Sequence, residues 1–457
     1  METELKGPVR GRQLLFDRKA LLLLIIPLVL EQLLNFTVGL ADNVMVASVG
    51  EAAVSAVSLV DNVFILILQV MAALSTGGAV IVGQYLGQKK GKDAARTGAQ
   101  TAVFLLIFSV AVMCLLYIGQ EFILRKIFGD ISEDVYGYAK TYLLICAWSV
   151  PFTGLHFALA AVMRAHGDAR TPLLVSLLMN IINCGGNAIL IYGFGCGTEG
   201  VAYPTSVAHL VACGVILWLT LRKKNKKFID FDGKIKIEGG LFKRIMTIAI
   251  PGGVENSLFQ IGKLIVLNLI ATFGTSAIAA NAVGMSVTNF LILPGFAMCS
   301  AIVTVLSQCV GAGDEWQFRY YMKKLMIIIY ISMFAVAILI YFCLPGIFKL
   351  YGLTDATNAA ARTIIVSHAI ADVIIWPLSF CIPNAFRSRG NAMFPMVVSI
   401  ASMILVRLVF SYIFANQFGL GVVGTWYAMY LDWAVRSVIF VTYYFIDRKK
   451  RIVNCLS

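Results

Sequence analysis

Charge is scarce in this chain: 13% of its 457 residues are Asp, Glu, Lys or Arg, against about 25% in a soluble domain. That deficit, beside a hydrophobic content of 59%, excludes a soluble enzyme, a secreted disulfide scaffold and a disordered chain. Histidine is rare, with four copies and no cluster, and the ten cysteines make no CxxC pair. No zinc or redox framework is therefore written here. Cys114, Cys146, Cys213 and Cys299 lie in apolar runs and read as small buried hydrophobes. Paired aspartate-rich motifs and His/Glu metal sets are also missing, which argues against an intramembrane enzyme such as a prenyl transferase. The net charge of +13 suggests nucleic acid only until the cations are placed.

What the sequence does have is long apolar runs. Bounded by Gly, Pro or charge, they fall near 20–47, 52–83, 97–119, 141–159, 171–194, 200–221, 245–271, 276–308, 325–344, 363–383, 394–415 and 421–446, each about a bilayer in length. The two longest are accommodated by tilt or protrusion. The basic segment 1–19 precedes a run too long for a signal-peptide core, so retention is expected. With the N-terminus inside, 29 of the 37 Lys and Arg fall in alternate loops: Lys6 to Lys19, Lys89 to Arg96, Arg164 and Arg170, Arg222 to Arg244, Arg319 to Lys324, Arg387 and Arg389, and Arg448 to Arg451. The opposite loops hold Arg125, Lys126, Lys140, Lys349 and Arg362, and only Lys263, Arg407 and Arg436 lie within spans. This positive-inside alternation predicts that both termini are cytoplasmic. It explains the net charge as a topological signal with contact to anionic lipid, and leaves no call for nucleic acid.

The chain also repeats itself. A shift of 224 residues superposes Pro27 on Pro251, Glu31 on Glu255, Gly50 on Gly274, Ala56 on Ala280, Gln84 on Gln308, Gly87 on Gly311 and Gly200 on Gly424. A shift of 223 superposes Arg164, Gly167 and Pro172 on Arg387, Gly390 and Pro395. Six spans per half is an even number, so both halves enter the membrane in the same sense. The expectation is an all-α polytopic membrane protein with twelve transmembrane helices in two six-helix bundles, a parallel repeat about a pseudo-two-fold along the membrane normal. The bundles are predicted at 1–221 and 245–457, the second with a basic tail, and the basic stretch 222–244 is the cytoplasmic linker. Such a plan places a cavity between the bundles near the midplane, opened to either side by rocking.

The residues that carry the repeat include Pro27-Leu-Val-Leu-Glu31-Gln32, Ala41-Asp42-Asn43 with Gly50 after it, Gln84-Tyr-Leu-Gly87, Met163-Arg164-Ala-His-Gly167-Asp168 and Pro251-Gly-Gly-Val-Glu255-Asn256 with Phe259-Gln260. In their joint spacing, over essentially the whole chain, they resemble bacterial members of the multidrug and toxic compound extrusion (MATE) family. The resemblance implies a monomeric inner-membrane antiporter, not an enzyme and without a cofactor, that expels cationic drugs or toxins in exchange for protons or sodium. Export of a lipid-linked or other amphiphilic substrate is the alternative within the same superfamily. It would want a cation-lined cavity, for which only Lys263, Arg407 and Arg436 are available.

Six acidic residues lie within predicted spans: Glu31, Asp42, Asp61, Glu255, Asp372 and Asp432. An isolated charge at that depth costs about 3 kcal/mol on insertion scales, so each needs a partner, a proton or water. Glu31, Asn35 and Asp42, at i, i+4 and i+11, share one helix face over roughly 16 Å, along which a proton or sodium ion can use both carboxylates, so Glu31 is a coupling candidate with Asp42 unless Pro27 distorts the helix. The resemblance puts the coupling cation at Asp42, against the simpler role of closing a hydrogen-bond network near the external end. Glu255 is the mate of Glu31 and is read as a coupling residue or an interhelical bond, with Asn256 and Gln260 as neutral oxygens beside it. Many relatives carry the seventh-helix glutamate about where Phe259 stands, so the chain departs from them there. Asp372 resembles the family's C-terminal-half cation site and with Glu255 would form a two-carboxylate sodium site, the alternative being a pair with Arg407. Asp432 and Arg436, at i, i+4, read as an internal ion pair, and Asp61 as a wet vestibule residue. Asn183 and Asn187 take the places where some relatives have asparagine and aspartate, so a carboxylate is absent there. His156, His209 and His368 read as packing residues, and Phe36, Phe259 and Trp376 as candidate walls of a cavity for flat cations.

Overall fold

The computed structural model describes residues 13–129, 131–222, 228–230, 238–352 and 354–456. Lys6, Arg10, Arg12 and most of the expected linker 222–244 lie outside them. The described residues form helices and connecting turns: α1 (Arg18–Ala47), α2 (Glu51–Gly87), α3 (Gly91–Phe122), α4 (Glu133–Ala165), α5 (Arg170–Ala188), α6 (Glu199–Leu221), α7 (Gly239–Ala271), α8 (Thr275–Leu291), α9 (Leu293–Gly311), α10 (Glu315–Tyr351), α11 (Asp355–Ile374), α12 (Trp376–Phe380), α13 (Ile382–Ser388), α14 (Met393–Ser402), α15 (Val409–Tyr412) and α16 (Gly421–Leu456). Ten helices among the described residues are long and apolar enough to cross a membrane, and a pair bent by 59° at Ile375 makes an eleventh span. The remaining predicted span forms as α16, whose Asp432, Arg436 and tyrosines reduce its apolarity. The run 276–308 is two helices, α8 and α9, broken at Ile292. Large apolar side chains such as Ile118 and Phe342 point outward, 82% and 76% exposed, as lipid-facing residues do in a protein whose backbone polar groups are satisfied within its helices.

The chain divides into two compact units, Met1–Gly253 with Ser307–Asp314 and Val254–Leu306 with Glu315–Ser457. The division falls within α7, because the first half of α7 packs on α2: a Cβ on Gly77 would lie 2.9 Å from the Ile245 carbonyl and 2.9 Å from the Ala249 Cβ. The Gln84-x-x-Gly87 motif has the same kind of explanation. In the first unit, a Cβ on Gly87 would sit 2.0 Å from the carbonyl of Gln308, and one on its mate Gly311 would sit 1.9 Å from the carbonyl of Gln84. Only glycine permits backbones to meet so closely.

The repeat is visible in the backbone as well. Short π-helical turns follow α5 at Ile189–Gly193 and recur 224 residues on at Ile413–Gln417. Gly167 and Gly390, mates at 223, both have φ +85°, and each is followed by a cap: Asp168 accepts from the Thr171 N–H at 3.0 Å, and Asn391 from the Phe394 N–H at 3.3 Å. The register changes from 223 to 224 between Pro395 and Ile413, where the second unit has a further π-helical stretch, Met403–Leu408. A π turn holds one more residue than an α turn, so the added residue is absorbed there.

Gly313 (φ +67°) has as its mate Lys89 (φ +60°), the only non-glycine with positive φ among the described residues. Lys89→Gly is expected to stabilise the protein by about 0.5–1 kcal/mol, the left-handed strain relieved less the added freedom of the unfolded chain. Thermal unfolding in detergent checks it.

Candidate functional site

In the first unit the polar residues of α1 meet those of α5 at a constant sequence separation. Ser176 donates to Glu31 Oε1 at 3.2 Å, Asn180 Nδ2 to Asn35 Oδ1 at 3.3 Å, and Asn187 Nδ2 to Asp42 Oδ1 at 2.8 Å, each pair 145 residues apart. A constant difference means the two helices run parallel, and the predicted face bearing Glu31, Asn35 and Asp42 is the one turned to α5. Asn180, Asn183 and Asn187, at i, i+3 and i+7, form the opposing stripe. The ladder extends into α6: Asn187 Nδ2 also donates to Asn183 Oδ1 at 3.4 Å, Asn183 Nδ2 to Thr205 Oγ1 at 2.8 Å, and Thr205 to the Val201 carbonyl at 2.8 Å. Gly186 allows this approach, since a Cβ there would lie 2.6 Å from Pro204 Cβ. The π turn beginning at Ile189 directly follows Asn187, a distortion common at functional sites.

The ladder's chemistry differs at its two ends. Glu31, 5% exposed, is closed by an ion pair with Arg164 at 2.5 Å. Asp42 is half-buried and meets a neutral amide, and Asn187, fully buried, keeps its Oδ1 without a hydrogen-bond partner. An orphaned buried acceptor is costly. Beside a carboxylate it presents hard oxygen to a cation, or accepts a hydrogen bond from that carboxylate once a proton is on it. Asp42, Asn187, Asn183 and Thr205 together offer an all-oxygen donor set. At the end of the unit beyond Asp42, an open cleft of about 670 Å³ is lined by Gly50, Glu51, Glu133, Asp134, Tyr138 and Glu199, among others.

In the second unit Glu255 pairs with Arg387 at 2.5 Å, and Arg387 donates to Asn384 at 2.9 Å. This is the repeat equivalent of Glu31 with Arg164. Asp372, 1% exposed, instead has His368 Nε2 at 3.2 Å, i, i+4 on α11, and neither of its oxygens accepts a hydrogen bond. The rings of Trp426, Tyr430 and Trp433 enclose His368. The expected two-carboxylate site of Glu255 with Asp372 is therefore not formed: an arginine takes one acid and a histidine the other. The alternative pair of Asp372 with Arg407 is not formed either, since Arg407 donates to Met429 Sδ at 3.2 Å. Asp432 accepts from Ser402 at 2.5 Å and lies 3.9 Å from Arg436, as the i, i+4 spacing predicted. Arg436 is held over the rings of Phe259, Phe380 and Phe440 at 5.0, 4.7 and 6.0 Å.

The aromatic candidates separate. Trp376 is no cavity wall: it is 1% exposed, stacked on Phe380 at 4.9 Å, and lies so close to Gly295 that a Cβ there would be 2.2 Å from its ring. It opens α12 just past the bend at Ile375, where a large ring fills the gap left by the broken helix. Phe36 and Phe259 are half-buried, as are Asn256 and Gln260. Comparing mates shows how the two units diverged. Asn183 and Thr205 correspond to Arg407 and Met429, which keep the same donor-to-acceptor link, while Asp42 and Asn187 correspond to Val266 and Ser411. The second unit has a resident guanidinium where the first has its neutral amide.

Breaking either glutamate–arginine pair from one side leaves a buried charge alone, at about 3 kcal/mol. Glu255→Gln is expected to lower stability by about that amount, and the double variant E255L/R387M to recover most of it. Thermal unfolding of the set reads the coupling.

Paired repeats of long apolar helices are an architecture that membrane transporters use. The MatE family model matches residues 27–189 and again 251–413, two segments offset by the repeat itself, and the chain belongs to this family of multidrug efflux transporters. It is 26% identical to a probable multidrug resistance protein NorM of Thermotoga maritima, over 95% of this chain and 94% of the relative. It is 22% identical to the multidrug export protein MepA of Staphylococcus saprophyticus, over 83% and 84%. A transporter of the MOP superfamily from Pyrococcus furiosus has the same fold, with a TM-score of 0.86 at 20% identity over 96% of this chain and 98% of that one. The protein is thus a multi-pass membrane protein whose relatives are transporters.

Proposed function

We propose that the protein is an antiporter that exports organic cations in exchange for an inward-moving proton or sodium ion, and that Asp42 with Asn187, Asn183 and Thr205 seats that ion. The observation that carries this reading is the orphaned Oδ1 of Asn187 beside a carboxylate with no arginine partner. With Asp42 ionised, Asn187 gives it an N–H. With a proton or sodium ion on Asp42, the oxygens of Asn187 and Asn183 become useful acceptors or ligands. The ion shifts the transporter toward one arrangement of its bundles only by its differential affinity for the two, and the drug must favour the other. Glu31 and Glu255 are assigned here to clamp α1 and α7 through Arg164 and Arg387.

The positive-inside pattern supports a bacterial plasma-membrane location with cytoplasmic termini, and a monomer is a sufficient unit because one chain carries both repeats. Export of a lipid-linked or other amphiphilic substrate is disfavoured, because Arg407 and Arg436 are buried and held by Met429, Asp432 and aromatic rings, which leaves Lys263 alone of the three span cations for a cation-lined cavity. The test is export of a cationic dye from proteoliposomes under separate proton and sodium gradients. The dye is expected to move against its own gradient under at least one of them. Passive equilibration under both removes the proposal.

A further inference from the structure

The third intramembrane carboxylate of the first unit takes no part in the ladder. Asp61, on α2, is half-buried and accepts a hydrogen bond from the Tyr142 hydroxyl of α4 at 3.1 Å. The two carboxylates border one apolar cluster: Ala41 and Met45 flank Asp42, Val57, Val60 and Phe64 flank Asp61, and Tyr142, Cys146, Cys184 and Ala188 complete the cluster from α4 and α5. Asp61 lies within electrostatic range of Asp42. Among the ion pairs of the described residues, neither aspartate has a basic partner. The titratable groups facing the pair are Tyr142 and Cys146 of α4 and Cys184 of α5, and none of these supplies a positive charge.

Two carboxylates bordering one apolar cluster of low dielectric, without a basic partner for either, cannot both remain ionised cheaply. The ladder provides for one of them. The other has a phenol O–H in place of an amide, and Tyr142 is itself buried, 6% exposed, so it holds Asp61 in position. We propose that Asp61 is a second cation-carrying carboxylate of the first unit, so that each cycle returns two positive charges for one monovalent organic cation. This rests on the reading of Asp42 as the seat of the first. Exchange of two charges for one is electrogenic: net positive charge moves inward, and an inside-negative potential adds to the driving force. One-for-one exchange is indifferent to potential.

The experiment uses proteoliposomes with an imposed potassium diffusion potential and a monovalent cationic dye, in separate proton-gradient and sodium-gradient arms. Wild type is expected to raise its steady-state dye gradient roughly tenfold per 60 mV in the arm that drives export. Asp61→Asn is expected to lose that response while still exporting under the chemical gradient, and Tyr142→Phe to retain it with an altered pH or sodium dependence. Wild type indifferent to potential, or Asp61→Asn as sensitive as wild type, overturns the proposal. Asp42→Asn that exports normally would instead remove the underlying assignment of Asp42. If Asp61→Asn is not recovered folded, ion release on dye binding to detergent-solubilised wild type decides, with two ions per dye expected and one overturning the proposal.

Discussion

Asp42→Asn is expected to reduce gradient-driven dye export by at least about tenfold, while changing thermal stability by less than about 1 kcal/mol. The asymmetry follows from what the substitution keeps. An asparagine oxygen accepts the Asn187 N–H now directed at Asp42 Oδ1 over 2.8 Å, so the contact between α1 and α5 survives. Asparagine is close to isosteric, and the site is half-buried, so neither a cavity nor overpacking results. What is lost is the ability to alternate between charged and neutral forms, and with it the differential affinity that lets an ion shift the transporter. Equal losses of export and of folded protein would instead mark Asp42 as a structural cap. Reconstitution of matched amounts of folded wild type and variant separates the two.

Gly87→Val is expected to cost more than any other single change considered, about 3 kcal/mol or more, and to leave little folded protein. The Cβ position is 2.0 Å from the Gln308 carbonyl oxygen and 2.7 Å from the Ala312 nitrogen. Both obstacles are backbone, of α9 and of the turn that follows it, which has no rotamer to change, so relief requires α2 and the end of α9 to separate along their contact. Overpacking against movable side chains costs about 1–3 kcal/mol, and backbone yields less. Gly311→Val should behave alike, because its Cβ meets the Gln84 carbonyl at 1.9 Å. Gly91→Ala, where nothing lies within 4 Å, is the matched control and should be neutral. Recovery of monodisperse protein by size-exclusion chromatography reads all three.

Much of this was legible because membrane helices obey two simple rules, apolar length and loop charge. The runs from 20–47 to 421–446 form helices, and the repeat register reappears as paired π turns and paired positive-φ glycines. The shared face of Glu31, Asn35 and Asp42 followed from helical periodicity alone. Their partners did not, because contacts 133 to 145 residues distant leave no local trace. Arg164 and Arg387 were counted as loop charges, yet they close onto Glu31 and Glu255. The signal lay in the repeat, since each arginine and each glutamate has its mate in nearly the same register. Thr205 was missed, and His368 was read as packing and not as the neighbour of Asp372, for a different reason: a threonine beside a proline and a single histidine carry no pattern. Trp376 misled because aromatic content says nothing of direction, and its burial depends on the bend at Ile375 and on Gly295 beneath it.

The most direct measurement records ions released when a cationic dye binds the purified protein in weakly buffered detergent solution, with proton- and sodium-selective electrodes. Wild type should release protons or sodium in fixed proportion to dye bound, and Asp42→Asn should bind dye with that release reduced by one ion. Identical release from both proteins would contradict the assignment of the carboxylate on α1 as the place the ion vacates.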